Sequence, residues 1–192
     1  MINGWTAGAF PMARGRHSRG VDWYVISMRA ILPLDTFHCS RSLARVVRRR
    51  IFEVRYDTAF EEVILGCAAL RPGQENTWIN DDIIDAYVEL NRRGITHSVE
   101  AWRAGNLVGG LYGVALGAAF FAESMFHRSE IGGTNASKVC VHHLVERLRH
   151  RQFELLDLQM PTPATLQFGV VEIPAAEFNS RLARALDSPP RW

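Results

Sequence analysis

The chain has 192 residues, of which 47% are hydrophobic and 22% charged, and its formal net charge at pH 7 is +2. These values are typical of one globular core, and so small a net charge gives no reason by itself to expect a nucleic-acid partner. No stretch approaches the roughly 20 uninterrupted apolar residues of a membrane-spanning helix, so we expect no membrane partner.

The cysteine pattern and the first residues indicate a compartment. Cys39, Cys67 and Cys140 are widely spaced and form no C-x-x-C pair, which favours reduced thiols over a disulfide framework or a zinc site. The first twenty residues lack the apolar centre of a signal peptide. We therefore expect a cytoplasmic protein without a metal.

The composition changes near residue 35. Residues 1–35 are rich in glycine, arginine and turn residues, and their one apolar run, VDWYVISM, is too short to fold alone. We expect this short, truncated N-terminal segment to pack onto a domain of residues 36–192, in which the apolar pattern is regular.

Three helices are predicted after residue 40. In SRSLARVVRRR, the apolar residues Leu43, Val46 and Val47 share one helical face and the arginines occupy the opposite face. The second helix lies in TAFEEVILGCAAL and the third in DDIIDAYVELNRRG, where Gly94 is a natural stop.

The pattern then changes to alternation. HSVEAW, LVGGLYGVAL and GAAFFAESMF are predicted strands with short connections, so they should form an antiparallel meander. A helix over about residues 136–149, a strand in FELLDLQM and a helix in AAEFNSRLARAL follow. This order predicts an α+β fold with a GNAT-like acyltransferase core, a mostly antiparallel sheet with flanking helices, in which the acyl donor lies where the sheet splays beside the central helix.

A series of short motifs in chain order carries a more specific resemblance. TWI, AY, HSVEAW, LVGGLYGV, ESMF, NASK and DLQ follow one another, and FPM, LPLDTFHCSRSL and DTAFEEVILGCA precede them. Each motif alone is weak evidence. Together, over about residues 8–186, they resemble the leucyl/phenylalanyl-tRNA–protein transferase family.

The resemblance implies a reaction. This family moves Leu, Phe or Met from aminoacyl-tRNA onto a protein whose N-terminal residue is Arg or Lys, and the added residue marks that protein for degradation. The chemistry is aminolysis of an ester, with the α-amine of the protein as nucleophile and the 3′-terminal ribose as leaving group. Because the ester is already activated, neither a metal nor a nucleotide cofactor is expected.

The strand end ESMF is the first part of the candidate site. We expect Glu123 to hold the aminoacyl group or the incoming amine by a charge-assisted hydrogen bond. Met125 is expected to line an apolar pocket with Leu111 and Val141, because a flexible thioether adapts to either Leu or Phe. The alternatives are a solvated strand-end carboxylate and three ordinary core residues.

The following helix and strand supply further candidates. Asn135 and Ser137 have the pattern of helix caps. The resemblance implies that this region also faces the ligand site. Asp157 and Gln159 should share one strand face, and the resemblance implies that they are the catalytic pair. Because a neutral amide is not a base at pH 7, we expect Gln159 to orient the amine and Asp157 to hold Gln159 and the local charge. The alternative is a solvated strand end.

Two groups are candidates for contact with tRNA. Trp78 resembles the family tryptophan that contacts the aminoacyl-adenosine end, by stacking on the base. The exposed face of the first predicted helix suits tRNA phosphates. Its arginines are Arg41, Arg45, Arg48 and Arg49. The alternatives are a core tryptophan and a solvated helix face.

The chain departs from the family pattern in several places. It begins just before FPM, Met12 stands where one branch has tryptophan, the HRSEIGGT loop is longer than usual, and Ala164 takes the place of a usual histidine.

Two other functions stay open. One is a GNAT enzyme that uses acyl-CoA, although no Q/R-x-x-G-x-G/A loop precedes the helix, and the other is a non-catalytic RNA- or degron-binding protein.

Overall fold

The computed structural model describes residues 1–70, 75–189 and 192. The strands are β1 (Phe10–Met12), β2 (Asp22–Tyr24), β3 (Met28–Ile31), β4 (Glu53–Tyr56), β5 (Thr96–Arg103), β6 (Asn106–Leu116), β7 (Ala119–His127), β8 (Leu155–Gln159) and β9 (Val171–Pro174). The helices are α1 (Ile2–Thr6), α2 (Arg41–Arg48), α3 (Phe60–Ala68), α4 (Asp81–Arg92), α5 (Ala136–His150), α6 (Pro163–Leu166) and α7 (Ala175–Leu186), and a 3₁₀ turn covers Ser129–Ile131.

One seven-stranded sheet organises the molecule. Its strand order is β4-β5-β6-β7-β8-β3-β9, and β1 and β2 form a separate antiparallel pair. Every neighbouring pair in the large sheet is antiparallel except β7 and β8, which run parallel. The predicted α+β class, the mostly antiparallel sheet and the β5–β6–β7 meander are confirmed.

Helices cover both faces of the sheet. On one face α1, α3, α4 and α7 share a core around residues such as Trp5, Ile83 and Phe178. On the other face α2 and α5 pack over residues such as Val99 and Leu156. The predicted helices α2, α3, α4, α5 and α7 are therefore confirmed.

The N-terminal segment enters the sheet itself. β3 lies between β8 and β9, with Ala30 opposite Gln159 on one side and Glu172 on the other. The segment thus packs onto the rest of the chain by strand pairing, and the division into domains at residue 35 stays a prediction. β3, β4 and β9 were not foreseen, because four residues are too few to establish an alternating pattern.

A close approach fixes α5 on the sheet. A Cβ atom at Gly109 of β6 would lie 2.6 Å from the Cβ atom of Ala136, the first residue of α5. Only glycine leaves room for the helix start at this point. Within the described ranges, no helix is both long and apolar enough to cross a bilayer, and no group of three His, Cys, Asp or Glu side chains could hold a metal ion.

Candidate active site

The site lies where two parallel strands separate. β7 and β8 pair only from Ala119 opposite Leu155 to Phe121 opposite Asp157, and beyond this point β7 continues to His127 paired with β6 but not with β8. A cavity of about 310 Å³ opens at the separation, and a smaller cavity of about 140 Å³ lies beside it. The boundary between the two cavities is formed by residues that line both. They are Trp78, Glu123, Leu158, Gln159, Met160 and Thr162.

The larger cavity is mainly apolar. Met125, Leu111 and Val141, predicted to form one pocket, line it together. Its wall is completed by Leu32, Ala122, Leu144, Leu156, Leu158 and Phe168. Side chains from β6, β7, β8 and α5 therefore converge on a space suited to an aliphatic or aromatic group, and contact of the three predicted residues with a substrate stays a prediction.

Glu123 is the acidic group of the site. The indole N–H of Trp5 donates to its Oε1 at 3.0 Å. Burial raises the pKa of Glu123 to about 8, against the hydrogen bond from Trp5 and the influence of the Tyr87 hydroxyl, both of which lower it. A large fraction of this carboxyl is therefore protonated at neutral pH when the site is empty.

An aromatic cluster holds Glu123 from behind. Trp5 packs edge-on against Trp23 and Tyr87, with ring centroids 5.4 and 5.6 Å apart, and Tyr87 packs edge-on against Tyr112 at 5.4 Å. Trp5, Tyr87 and Tyr112 are fully buried. The cluster excludes water from one side of Glu123, which is the physical cause of the raised pKa.

Asp157 is sealed inside the protein and paired with an arginine. Its side chain is 0% exposed, and Arg29 donates from Nε to Oδ1 at 2.9 Å and from Nη2 to Oδ2 at 2.7 Å. The Arg29 guanidinium lies between the rings of Phe10 and Phe178, 4.8 and 4.6 Å from their centroids, and donates to the carbonyl of Gly8. This two-point pairing fixes the carboxylate of Asp157 in one orientation.

Gln159 is held by Asp157 through its backbone. The Gln159 N–H donates to Asp157 Oδ1 at 2.9 Å, and Gln159 adopts a φ of 57°, in the left-handed region. A register irregularity opposite Ala30 and Ile31 interrupts the alternation that placed the two side chains on one face. Gln159 alone of the pair lines the cavities, and its Nε2 is buried without a hydrogen-bond partner. A buried amide donor without a partner is costly unless a ligand accepts from it.

Asn135 and Ser137 do not have the predicted capping role. Asn135 occupies the N-cap position of α5 with a φ of 71°, but its side chain makes no cap hydrogen bond. Ser137 lies inside the helix, buried, with its Oγ 3.4 Å from Nδ1 of His127. The capping prediction is wrong because the chain enters α5 from a left-handed residue, which directs the Asn135 side chain away from the first turn. Neither residue is among those lining the two cavities.

The glycine loop before α5 is packed against its own chain. A Cβ atom at Gly133 would lie 2.2 Å from the carbonyl oxygen of Val108 and 2.6 Å from that of Arg128. The Gly133 N–H already donates to the Arg128 carbonyl at 2.8 Å. The glycine is therefore needed for close packing of the loop on β6, whereas a pyrophosphate site needs free N–H groups.

The predicted tRNA groups lie at the surface. Trp78 is half-buried, and its carbonyl accepts from the N–H of Ala13 at 3.1 Å. The arginine face of α2 is exposed along its length. Its members are Arg41, Arg45, Arg48 and, one residue past the helix, Arg49.

Comparison with known proteins decides the family. The sequence model described as Leucyl/phenylalanyl-tRNA protein transferase matches residues 31–183. A protein of this name from Paramagnetospirillum magneticum is 50% identical over 97% of this chain and 87% of its own length, and one from Gloeobacter violaceus is 51% identical over 98% and 93%. The chain belongs to the leucyl/phenylalanyl-tRNA protein transferase family.

The fold has solved counterparts at lower similarity. A ribosomal-protein-alanine N-acetyltransferase from Brucella melitensis biovar Abortus 2308 is 17% identical with a TM-score of 0.43, over 60% of this chain and 84% of its own length. A likeness at this level carries no weight in assigning the reaction of this leucyl/phenylalanyl-tRNA protein transferase family member.

Two departures from the family pattern lie in the cavities. Met12 lines the smaller cavity and Ala164 the larger one, so both substitutions change the walls of the site.

Trp5 and Arg29 belong to the site but were missed from the sequence, since their partners Glu123 and Asp157 are 118 and 128 residues away. The available signal was an arginine followed directly by Ala-Ile-Leu, which places a charge in a buried strand.

Proposed function

We propose that this chain transfers a leucyl, phenylalanyl or methionyl group from aminoacyl-tRNA to the α-amine of a protein whose N-terminal residue is Arg or Lys. The product is marked for degradation in the cytoplasm. The observation that carries the proposal is the pair of adjoining cavities with Glu123 and Gln159 at their common boundary. One cavity suits the aminoacyl side chain, and the other gives the amine access to the ester.

The larger cavity takes the side chain of the transferred residue. Met125, Leu111 and Val141 contact it, and its volume of about 310 Å³ suits unbranched, γ-branched or aromatic side chains. Trp78, at the boundary of both cavities, stacks on the terminal adenine. The side chain of Ala164 in the wall of this cavity is smaller and less polar than that of a histidine.

The polar boundary performs the transfer. Gln159 orients the attacking amine with its side-chain amide, whose donor has no partner within the protein. Asp157 is a positioning residue, because it is sealed from the cavities and acts through the N–H of Gln159. Positioning two bound reactants supplies a large part of the rate in such a reaction.

The tRNA body binds along the exposed arginine face of α2. Four guanidinium groups on one helical face match a row of phosphates, and their contacts supply affinity without reading sequence. Asn135 and Ser137, at the start of α5, lie outside both cavities and are not assigned contact with the amino acid.

The test is transfer of labelled leucine from Leu-tRNA to a peptide that begins with Arg. The same peptide with an acetylated N-terminus is the control, and Phe-tRNA, Met-tRNA and a Lys peptide extend the series. We expect label on the free-amine peptides only, and no effect of added acetyl-CoA. Acetyl transfer from acetyl-CoA would support an acyl-CoA enzyme, and tRNA binding without any transfer would support a binding protein. Either result contradicts the proposal.

A further inference from the structure

The reaction needs a group that removes a proton. An α-amine has a pKa of about 7.7–8.0, so at neutral pH the acceptor arrives mainly as an ammonium ion, which has no lone pair with which to attack an ester. One N–H proton must leave before the C–N bond forms and another must leave afterwards. A base within reach of the bound amine would serve both steps.

The residues that line the two cavities include a single titratable side chain, that of Glu123. Gln159 is a neutral amide. Asp157 has no exposed surface, accepts two hydrogen bonds from Arg29 and one from the N–H of Gln159, and is absent from both cavity walls. Among the described residues that border the reacting atoms, one group is left that can carry a proton.

We propose that the Glu123 carboxylate takes the proton from the incoming α-ammonium and delivers a proton to the departing ribose oxygen. The inference rests on the proposed function and assigns the proton transfers within it. The geometry supports it directly. Glu123 lies at the boundary that the amine and the ester share, and the indole N–H of Trp5 holds its Oε1 in place.

The surroundings of Glu123 match this role. Burial raises its pKa to about 8, close to that of an α-amine, so a proton passes between the two groups with little change in free energy. The groups that face Glu123 come from five elements. They are Trp5 of α1, Tyr87 of α4, Tyr112 of β6, Asp157 of β8 and Arg29 of β3. Arg29 and Asp157 offset one another, so burial dominates.

The proton count closes over the cycle. Glu123 as carboxylate takes one proton from the ammonium, and the neutral amine attacks the ester carbonyl to form the C–N bond. When the C–O bond to the ribose breaks, the ribose oxygen leaves with the proton that Glu123 carries. The new amide nitrogen then gives its excess proton to Glu123, which releases it to solvent. No oxidant, metal or further reactant is needed.

The competing interpretation is that Glu123 only binds the ammonium. The two are separated at saturating peptide, where the loss of a binding group is overcome and the loss of a base is not. A second acceptor, an Arg peptide whose α-amine is replaced by an aminooxy group, arrives without a proton to remove. The aminooxy nitrogen is a much weaker base and is uncharged at pH 7. Glu123→Gln is the test variant, since its amide oxygen still accepts from Trp5. Glu130→Gln, at an exposed position in the 3₁₀ turn, is the control.

We expect Glu123→Gln to lower single-turnover transfer to saturating ordinary Arg peptide by roughly 10²-fold or more at pH 7. Transfer to the aminooxy peptide should fall by a smaller factor, because delivery of a proton to the ribose oxygen is lost with both acceptors and removal of the ammonium proton is lost only with the first. A loss that disappears at saturating Arg peptide would make Glu123 a binding group and overturn the proposal, and so would equal losses with both acceptors or full activity with both. Glu123→Asp, which keeps a carboxyl, should recover part of the loss and covers the case in which the glutamine variant folds poorly. Wild-type transfer to either acceptor tests the proposed function separately.

Discussion

Glu100 on β5 and Glu123 on β7 lie in the same sheet but in different surroundings. Glu100 is 0% exposed and accepts five hydrogen bonds from its own chain. The donors are the backbone N–H groups of Thr58 and Ala59 and the side chains of Thr58, Ser98 and Trp102. Glu123 accepts from Trp5 and otherwise borders two cavities.

The difference separates a carboxylate whose hydrogen bonds are satisfied within the fold from one that lines two cavities. Ala59, the N-cap of α3, has no side chain that could cap the helix, and Glu100 accepts from the N–H groups of Thr58 and Ala59, the two residues before its first turn. All lone pairs of Glu100 are used in this way. Glu123 keeps acceptor capacity free, at a cost in stability, and a ligand is what would use it.

The largest effect is expected on stability, when Glu100 is replaced. Glu100→Ala leaves several buried donors unsatisfied, so the free energy of unfolding should fall by about 3 kcal/mol or more, and Tm by roughly 10 °C. Thermal denaturation measures both. Glu123→Gln is the matched variant and should melt within a few degrees of wild type. Equal losses of Tm in the two variants would remove the distinction.

The second prediction concerns Asp157, whose carboxylate accepts three hydrogen bonds from Arg29 and Gln159 next to the site. Asp157→Asn keeps its shape, and Gln159→Asn keeps an amide at a positive φ but shortens the side chain by one methylene. Each should lower single-turnover transfer by roughly 10²-fold, because a displacement of about 1 Å costs that much. Affinity for a non-reacting aminoacyl-adenosine analogue should change only a few-fold.

The double variant sharpens this result. Residues that act as a unit are not additive, so the double variant should transfer little more slowly than the poorer single one. If binding of the analogue falls as much as transfer does, the pair is a binding or folding element.

The third prediction uses the pKa of Glu123. It is raised from 4.5 to about 8 in the folded protein, so between these values the folded state holds one proton more than the unfolded state. The stabilisation from this group is therefore complete below pH 4.5 and is lost as pH rises to about 8, at about 1.4 kcal/mol per pH unit. Urea unfolding at pH 5.5, 6.5 and 7.5 should show this slope in wild type and its reduction in Glu123→Gln. Parallel curves for the two proteins would contradict it.

The fourth prediction concerns Met125, which is two residues beyond Glu123 on β7 and lines the same cavity. Met125→Ala should lower use of Leu-tRNA about tenfold, since a few methylene groups in a pocket are worth about 1–3 kcal/mol. Tm should change little, because Met125 is only partly buried and its side chain lines the cavity. Met28→Ala, at an exposed position on β3, is the control. A variant that melts many degrees lower yet transfers leucine normally would place Met125 in the core.

The smallest effect is expected for exposed charges. Replacing Arg45 and Arg48 by Gln should weaken tRNA binding and reduce the slope of log K against log salt by about 0.7–0.9 for each phosphate that is no longer neutralised. Fluorescence titrations at several salt concentrations give the slope. Gln at Arg181 and Arg184 on α7 is the matched pair of changes away from α2. An unchanged slope in the first variant would show that α2 presents only solvated surface.

Long periodic patterns made the fold predictable. The helices α2, α4, α5 and α7 and the meander have enough residues for periodicity to be read, and the motifs around Glu123 and Gln159 gave the main parts of the site. What could not be predicted depends on interactions between distant parts of the chain. The role of Arg29 depends on its ion pair with Asp157, and the role of Trp5 depends on its hydrogen bond to Glu123. The backbone conformation of Asn135 depends on the loop packed on β6.

The position of β3 between β8 and β9 has a consequence for how the protein is made. During synthesis the N-terminal residues leave the ribosome first, but β3 has no partner strand until β8 and β9 have followed. Pairings of such high sequence separation form late and slowly. Arg29 therefore has no ion-pair partner until Asp157 has been synthesised, and a nascent protein stopped before residue 155 lacks β8, with Gln159 and part of the walls of both cavities.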